Sequence, residues 1–262
     1  MHRLTGSLLL PLSIGLWAQT VSQPLPASDP QAITLAQQSF AALLGGATIT
    51  DVTLNGNVTS IFGADNETGT GTFEAKGTGE SRIDLNLSGG TRSDVRNVTS
   101  AGPVGAWETN GGTPTAYPQH NCWTDAAWFF PALSSLSQTA NANFVFKYAG
   151  QQQHGAVMSQ HIRISQALSW DYNGTMLRLS TLDFYLDPNS HLPLAVSFSV
   201  HADNDENTNI PTEIDFANYQ PVNGVLVPFH FQQSLNGRVV LDVTVTSATF
   251  NSGLQDSIFT LQ

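Results

Sequence analysis

Charge is scarce in this chain of 262 residues. Only 11% of positions are Asp, Glu, Lys or Arg, and just 9 are Lys or Arg, against 20 acids, for a net charge of -11. A nucleic-acid binder needs a basic face to displace counterions from phosphates, so that class is excluded. The same shortage excludes adsorption to anionic lipid through a polybasic patch. Cysteine is nearly absent too: Cys122 stands alone, so no internal disulfide forms and a hydrophobic core must hold the fold. Beyond the first residues no run approaches the roughly 20 apolar residues that span a bilayer, which argues against a stable membrane span. Several catalytic signatures are also missing. There is no Gly-x-Ser-x-Gly, no phosphate loop, no paired-glutamate motif, no Cys-x-x-Cys and no His-x-x-x-His.

What the chain does have is apolar material and polar uncharged residues. It is 40% hydrophobic and contains 14 Phe, enough for a substantial core. The first 18 residues read as a signal peptide: Arg3 is a positive start, Leu8 to Trp17 is mostly apolar, and a cut after Ala18 ends it. Export to the periplasm or the extracellular space is therefore expected. Residues 19–28 read as a Pro/Ser linker, and residues 29–262 as one domain. Asn57, Asn66, Asn86, Asn97 and Asn173 lie in Asn-x-Ser/Thr contexts, which a chain this rich in Asn and Thr produces by chance.

Hydrophobic spacing sets the order of elements. DPQAITLAQQSFAALLGG predicts a helix, with Asp29 as cap, Pro30 at the first turn, Ile33, Ala36, Phe40, Leu43 and Leu44 on one stripe, and Gly45-Gly46 as the stop. Alternating segments then follow one another through short glycine-rich turns, the pattern of an antiparallel meander. Among them, NFVFKYAG and GAVMSQHIRIS read as a hairpin turning at Gln151 to His154, and TMLRLSTLDFYLD reads as strand. HNCWTDAAWFFPALSSLSQ interrupts the series. It predicts helix on either side of Pro131, with its aromatic side laid across the open face of the sheet. The second half resumes the strands, with turn chemistry at Asn223-Gly224 and Asn236-Gly237. The fold class expected is mainly β with a few helices, a strongly curved antiparallel sheet whose concave face the helices cover.

The second half also carries a grammar: Asp187-Pro188, Leu192-Pro193, a polar hairpin tip, Tyr219, Asn223-Gly224, Val227-Pro228, a closing Val-x-Val strand, then Phe250-Asn251 and Phe259. From about Met176 to Leu261 it resembles the LolA/LolB-like family of periplasmic lipoprotein carriers. The resemblance implies a half-barrel enclosing an apolar cavity for acyl chains, and a lipid or acylated protein as partner of a monomeric chain. Arg82, Arg92 and Arg96, on early strands, are the candidates for the arginine that gates the carrier cavity. Cavity-lining residues are expected among the aromatics and their neighbours: Trp123, Trp128, Phe129, Phe130, Leu133, Phe144, Phe146, Phe184, Phe198 and Phe229.

Other constellations give weaker signals. His191, with Asp183 or Asp187, could form a catalytic pair, but DPNSHLP has the residue types of a turn. His201, Asp203, Asp205 and Glu206 could hold calcium, but they lack the glycine and terminal glutamate of a calcium loop. His120, Cys122, His154 and His161 lack zinc spacing. If His161 lies in a strand, the seven-residue offset would put His154 on the opposite side. No cofactor, no metal and no catalytic residue is expected. The favoured reading is an exported lipid- or acyl-binding protein. The alternatives are an envelope interaction module and a hydrolase using a His/Cys or His/carboxylate site.

Overall fold

The structure, a computed structural model, describes residues 25–261. The expected leader and most of the linker lie outside them. The order is a helix α1 (Pro30–Leu44), strands β1 (Asp51–Phe62), β2 (Asp65–Lys76), β3 (Ser81–Leu87), β4 (Gly90–Thr99), β5 (Gly102–Thr109) and β6 (Thr115–Ala116), then an irregular segment, β7 (Phe144–His154), β8 (Val157–Gln166), a short helix α2 (Thr175–Leu179), β9 (Leu182–Leu186), β10 (Pro193–Ala202), β11 (Asp205–Val222), β12 (Val225–Leu235) and β13 (Arg238–Phe250). All thirteen strands form one sheet in the order β6-β5-β4-β3-β2-β1-β13-β12-β11-β10-β9-β8-β7. Every pairing is antiparallel, and the ends do not meet, as in the curved sheet expected from the sequence. No helix among the described residues is long and apolar enough to cross a membrane.

The sheet curls around its apolar face. Asn121, after β6, donates through Nδ2 to the carbonyl of His201 in β10 and accepts the His201 N–H, at 2.8 and 2.7 Å. Strands β5 and β10 are thus bridged although seven strands separate them in the sheet order. Period-2 alternation assigns the inner face: Leu54 and Val58 of β1, Phe73 of β2, Ile83 of β3, Ile162 and Ile164 of β8, Phe184 of β9, Val196 and Phe198 of β10, Ile214 and Phe216 of β11, and Phe231 of β12 share one core. On β13 the inward phase changes from Leu241, Val243 and Val245 to Ala248 and Phe250. A bulge opposite Asn55 and Gly56 causes the change, because one extra residue flips the faces beyond it.

Helix α1 covers this core from β7 and β8 to β12. Gly45 closes it in the left-handed conformation with φ 56°, its N–H returning to the Ala41 carbonyl. Asp29 does not cap the helix as the sequence suggested. Its carboxylate takes the Tyr148 N–H and the Lys147 ammonium of β7, both at 3.1 Å, while its own N–H donates to the Phe146 carbonyl. The cap residue is spent on docking the helix.

Two further expectations change. The segment around Pro131 forms three 3-10 turns (Gln119–Cys122, Pro131–Leu133 and Ser135–Ser137) instead of α-helix. Pro131 has no N–H to donate to a helical carbonyl one turn back, and Ser134 and Asp125 offer local side-chain acceptors to the Leu136 and Ser135 amides. Its aromatic side does face inward. Met176 to Leu179, read as strand, is helical. The Asp171 carboxylate receives the Thr175 and Leu177 amides and so supplies the helix start.

Candidate functional site

The inner face holds a cluster of aromatic rings. Phe73 meets Phe231 edge-on at 5.3 Å and Phe129 at 5.4 Å; Trp128 meets both Phe129 and Phe231, and Phe130 stacks on Phe250 at 5.8 Å. Of the expected lining residues, Phe129, Phe130, Phe146, Phe184 and Phe198 are buried in this core, and Trp128, Leu133, Phe144 and Phe229 pack against it half-buried. Nine of the ten therefore come together in one core. Trp123 lies apart, beside Gly102 of β5.

The inner face continues across β1 to β5, and register decides which arginines share it. Arg92 pairs with Leu85, and Asp94 with Ile83; Arg92, Asp94 and Arg96 therefore point inward, while Arg82 points out and pairs with Asp84. Arg92 Nη1 donates to the buried Ser60 Oγ at 2.9 Å, and its guanidinium pairs with Glu67 and lies 4.7 Å from the centre of the Phe62 ring. Phe62 is 64% exposed, and Trp107, opposite Asp94, is 40% exposed. Between them β2 presents Gly71 inward, opposite Gly56. A Cβ at Gly71 would sit 2.7 Å from a Val58 methyl and 2.8 Å from the Phe73 ring, so glycine alone lets those side chains lean over the strand. Deeper in, burial pushes the Asp94 carboxyl up, against the opposing pull of Arg96 and of the hydrogen bond from Tyr117.

The outer face of β8 to β11 is different. His161 and Arg163, Asp183 and Tyr185, Ser197 and Ser199, and Glu213 and Asp215 alternate with the inward apolar residues. Asp183 binds His161 Nε2 at 2.7 Å and receives two hydrogen bonds from Arg163 at 2.9 and 3.0 Å. Burial alone would raise this carboxyl, but the bonds from His161 and Arg163 outweigh it and hold it below the usual range. The end of the β7–β8 hairpin bends over this face. His154 and His161 both stack on Tyr185, at 5.2 and 4.8 Å, and His154 Nε2 lies 3.0 Å from Asp215. The Asp215 bond raises the His154 imidazole pKa, while burial and the neighbouring Asp215 raise that of Glu213. Next to them a cleft of about 690 Å³ runs over Ser197, Ser199 and Ser234, between Arg163 and Arg178.

Sequence reasoning did not find this cluster. The expectation that His154 and His161 face apart holds for one continuous strand. Here Gly155 turns the chain, His154 pairs with Val157, and Val157 and His161 share a face. No motif marks residues that meet across four strands.

The other candidates separate. His120 Nε2 faces the Ala202 carbonyl and the Cys122 thiol faces the Pro118 carbonyl, so they do not pair, and burial raises the thiol. His191 sits at φ 60°, with its N–H bonded to the Asp187 carbonyl. The Asp187 carboxylate accepts the Asn189 and Ser190 amides, so it belongs to the turn. Asp205 likewise satisfies Asn207 and Thr208 at the tip between β10 and β11, while His201 of the same run is buried.

No protein-family model matches the chain, and no curated protein matches it. Solved structures do. A DUF1329 family protein from Desulfovibrio piger aligns with 90% of this chain and 100% of its own, with TM-score 0.57 and 9% identity. A domain from Vibrio parahaemolyticus, named for outer membrane lipoprotein sorting, aligns with 87% of this chain and 96% of its own, with TM-score 0.55 and 11% identity. A LolA superfamily protein from Nitrosomonas europaea covers 87% and 97%, with TM-score 0.49 and 9% identity. The first two are likenesses of fold alone: the chain shares the fold of the DUF1329 family protein and of the domain named for lipoprotein sorting.

Proposed function

We propose that this chain is an exported binding protein that takes up an acyl chain, of a lipid or of a lipidated protein, on the inner face of its sheet. One observation carries the reading: the apolar inner face continues past the Phe73–Phe129–Phe231 cluster to a rim where Phe62 and Trp107 stay exposed beside the inward Arg92. The acyl chain would lie along the apolar face, and Arg92 would meet a polar or anionic head. The lid of 3-10 turns would shift to admit it, without unwinding an α-helix. The apolar leader supports export, and the likeness in fold to a domain named for lipoprotein sorting supports the ligand class.

The test is extraction of the purified mature chain for lipid mass spectrometry, followed by titration with a fluorescent fatty acid. Bound lipid, or saturable uptake weakened about tenfold by Phe62→Ala with Trp107→Ala, is the expected result, as both side chains are exposed at the rim. Absence of both lipid and uptake overturns the proposal.

A further inference from the structure

The geometry points to a divalent-metal site on the outer face, formed by His154, Glu213 and Asp215. One donor atom from each lies within 4.8 Å of the other two, and all three residues are half-buried. Zinc-class ions hold imidazole and carboxylate donors at about 2.0–2.2 Å, which sets neighbouring ligands about 3.4 Å apart in a tetrahedron. His154 Nε2 and Asp215 Oδ1, 3.0 Å apart and hydrogen-bonded in the structure, would open by about 0.4 Å to reach that spacing. The Glu213 oxygen lies within 4.8 Å of both, and rotation of its longer side chain would bring it to ligand distance. The imidazole selects a zinc-class transition ion over calcium or magnesium, which take oxygen alone.

The bland alternative is a simple tether in which His154 ties the hairpin to Asp215. A tether needs one carboxylate, whereas β11 presents two on the same face, two residues apart, for a single imidazole. Holding two carboxylates together is costly unless a cation lies between them. The Tyr185 ring stacks on the imidazole with an interplanar angle of 14° and holds its plane, leaving Nε2 directed at the two carboxylates.

The ligands come from β7 and β11, with three strands between them in the sheet, so a bound ion would clasp the bent-over hairpin to the sheet. Glu213 also lines the 690 Å³ cleft. A coordination position left free by the protein would border that cleft, where Arg163 and Arg178 favour an anionic group.

Isothermal titration of the mature chain, carrying no histidine tag, with Zn²⁺ tests the site. Absorption of the Co²⁺ form gives a second readout of the donor set. The expected result is one ion per chain, with affinity lowered at least tenfold in His154→Ala and in the conservative Glu213→Gln. His230→Ala, which removes the separate outer-face pair with Asp242, should leave binding unchanged. Circular dichroism of each variant reports folding, and Glu213→Gln preserves side-chain size. Absence of saturable Zn²⁺ binding overturns the site, as does binding that survives both His154→Ala and Glu213→Gln.

Discussion

Along β8 to β11 one backbone displays two chemistries. Toward the inside, Ile162, Ile164, Phe184, Val196, Phe198, Ile214 and Phe216 join a continuous core. Toward the outside, the alternate residues supply a histidine, an arginine, a tyrosine and three carboxylates, and His154 of β7 bends over them. Burying a large apolar side chain contributes about 1.5–3 kcal/mol, and a typical hydrogen bond nets only about 0.5–1.5 kcal/mol. The inner face should therefore hold the fold together, and the outer face should tolerate change at smaller cost. The proposed metal site would give the ion pairs of this outer face a role besides stability.

The largest test of that contrast is Phe130→Ala, which empties a fully buried position and should cost about 3–5 kcal/mol, read as a lower urea midpoint at unchanged slope. An outer-face loss of the same size would erase the distinction. Asp183→Ala should cost about 1–3 kcal/mol, because it strands His161 and Arg163. Since the folded Asp183 is held below its ordinary value, its contribution is present above the unfolded pKa near 3.8 and is lost as pH falls through the lower folded value. The difference between wild type and Asp183→Ala in urea should accordingly shrink at acid pH.

Asp125 sharpens the comparison from the inner side, as the carboxyl built into the lid. Burial pushes it up to about 6, against hydrogen bonds from Ser135. A raised acid works in the opposite sense: the folded state binds more protons, so stability declines as pH rises from about 4 to about 6. Asp125→Asn should remove that decline and raise the melting temperature at neutral pH by the equivalent of about 1–2 kcal/mol, seen by thermal unfolding at two pH values. The smallest effect is expected at His191, which lies in the turn joining β9 to β10 and belongs to neither face. His191→Gly should stabilise slightly, by no more than about 1 kcal/mol, by relieving its left-handed φ of 60°. It should leave fatty-acid uptake unchanged.

Local chemistry made much of this architecture legible. Asn223-Gly224 and Asn236-Gly237 place successive residues at positive φ, as their turns require, and the helix stripe from Ile33 to Leu44 packs as its spacing predicts. The turn at DPNSHLP was also readable, because Asp187 folds back on its own amides. What was not readable depends on distant partners. Asp29 has the composition of a cap, but Tyr148 and Lys147 claim its carboxylate from more than a hundred residues away. The Pro131 segment has helix-forming residues, but Asp125 and Ser134 draw its amides into tighter turns. The inward arginines were candidates from the sequence; choosing Arg92 and Arg96 over Arg82 required the β3–β4 register. The outer-face cluster required knowing that a hairpin end bends over three strands, which no residue pattern encodes.

The docking of Asp29 has a further consequence. An open sheet exposes an unpaired row of amides and carbonyls on each outermost strand, and such rows recruit further strands. At one margin, β6 is two residues long and offers almost no template. At the other, β7 would be an inviting one, but Ser28 Oγ accepts the Phe146 amide, the Asp29 carboxylate accepts the Tyr148 amide, and the Asp29 N–H donates to the Phe146 carbonyl. The two residues ahead of the helix thus act as a guard against strand-by-strand aggregation, protecting a chain that carries no disulfide to hold it if the edge begins to open.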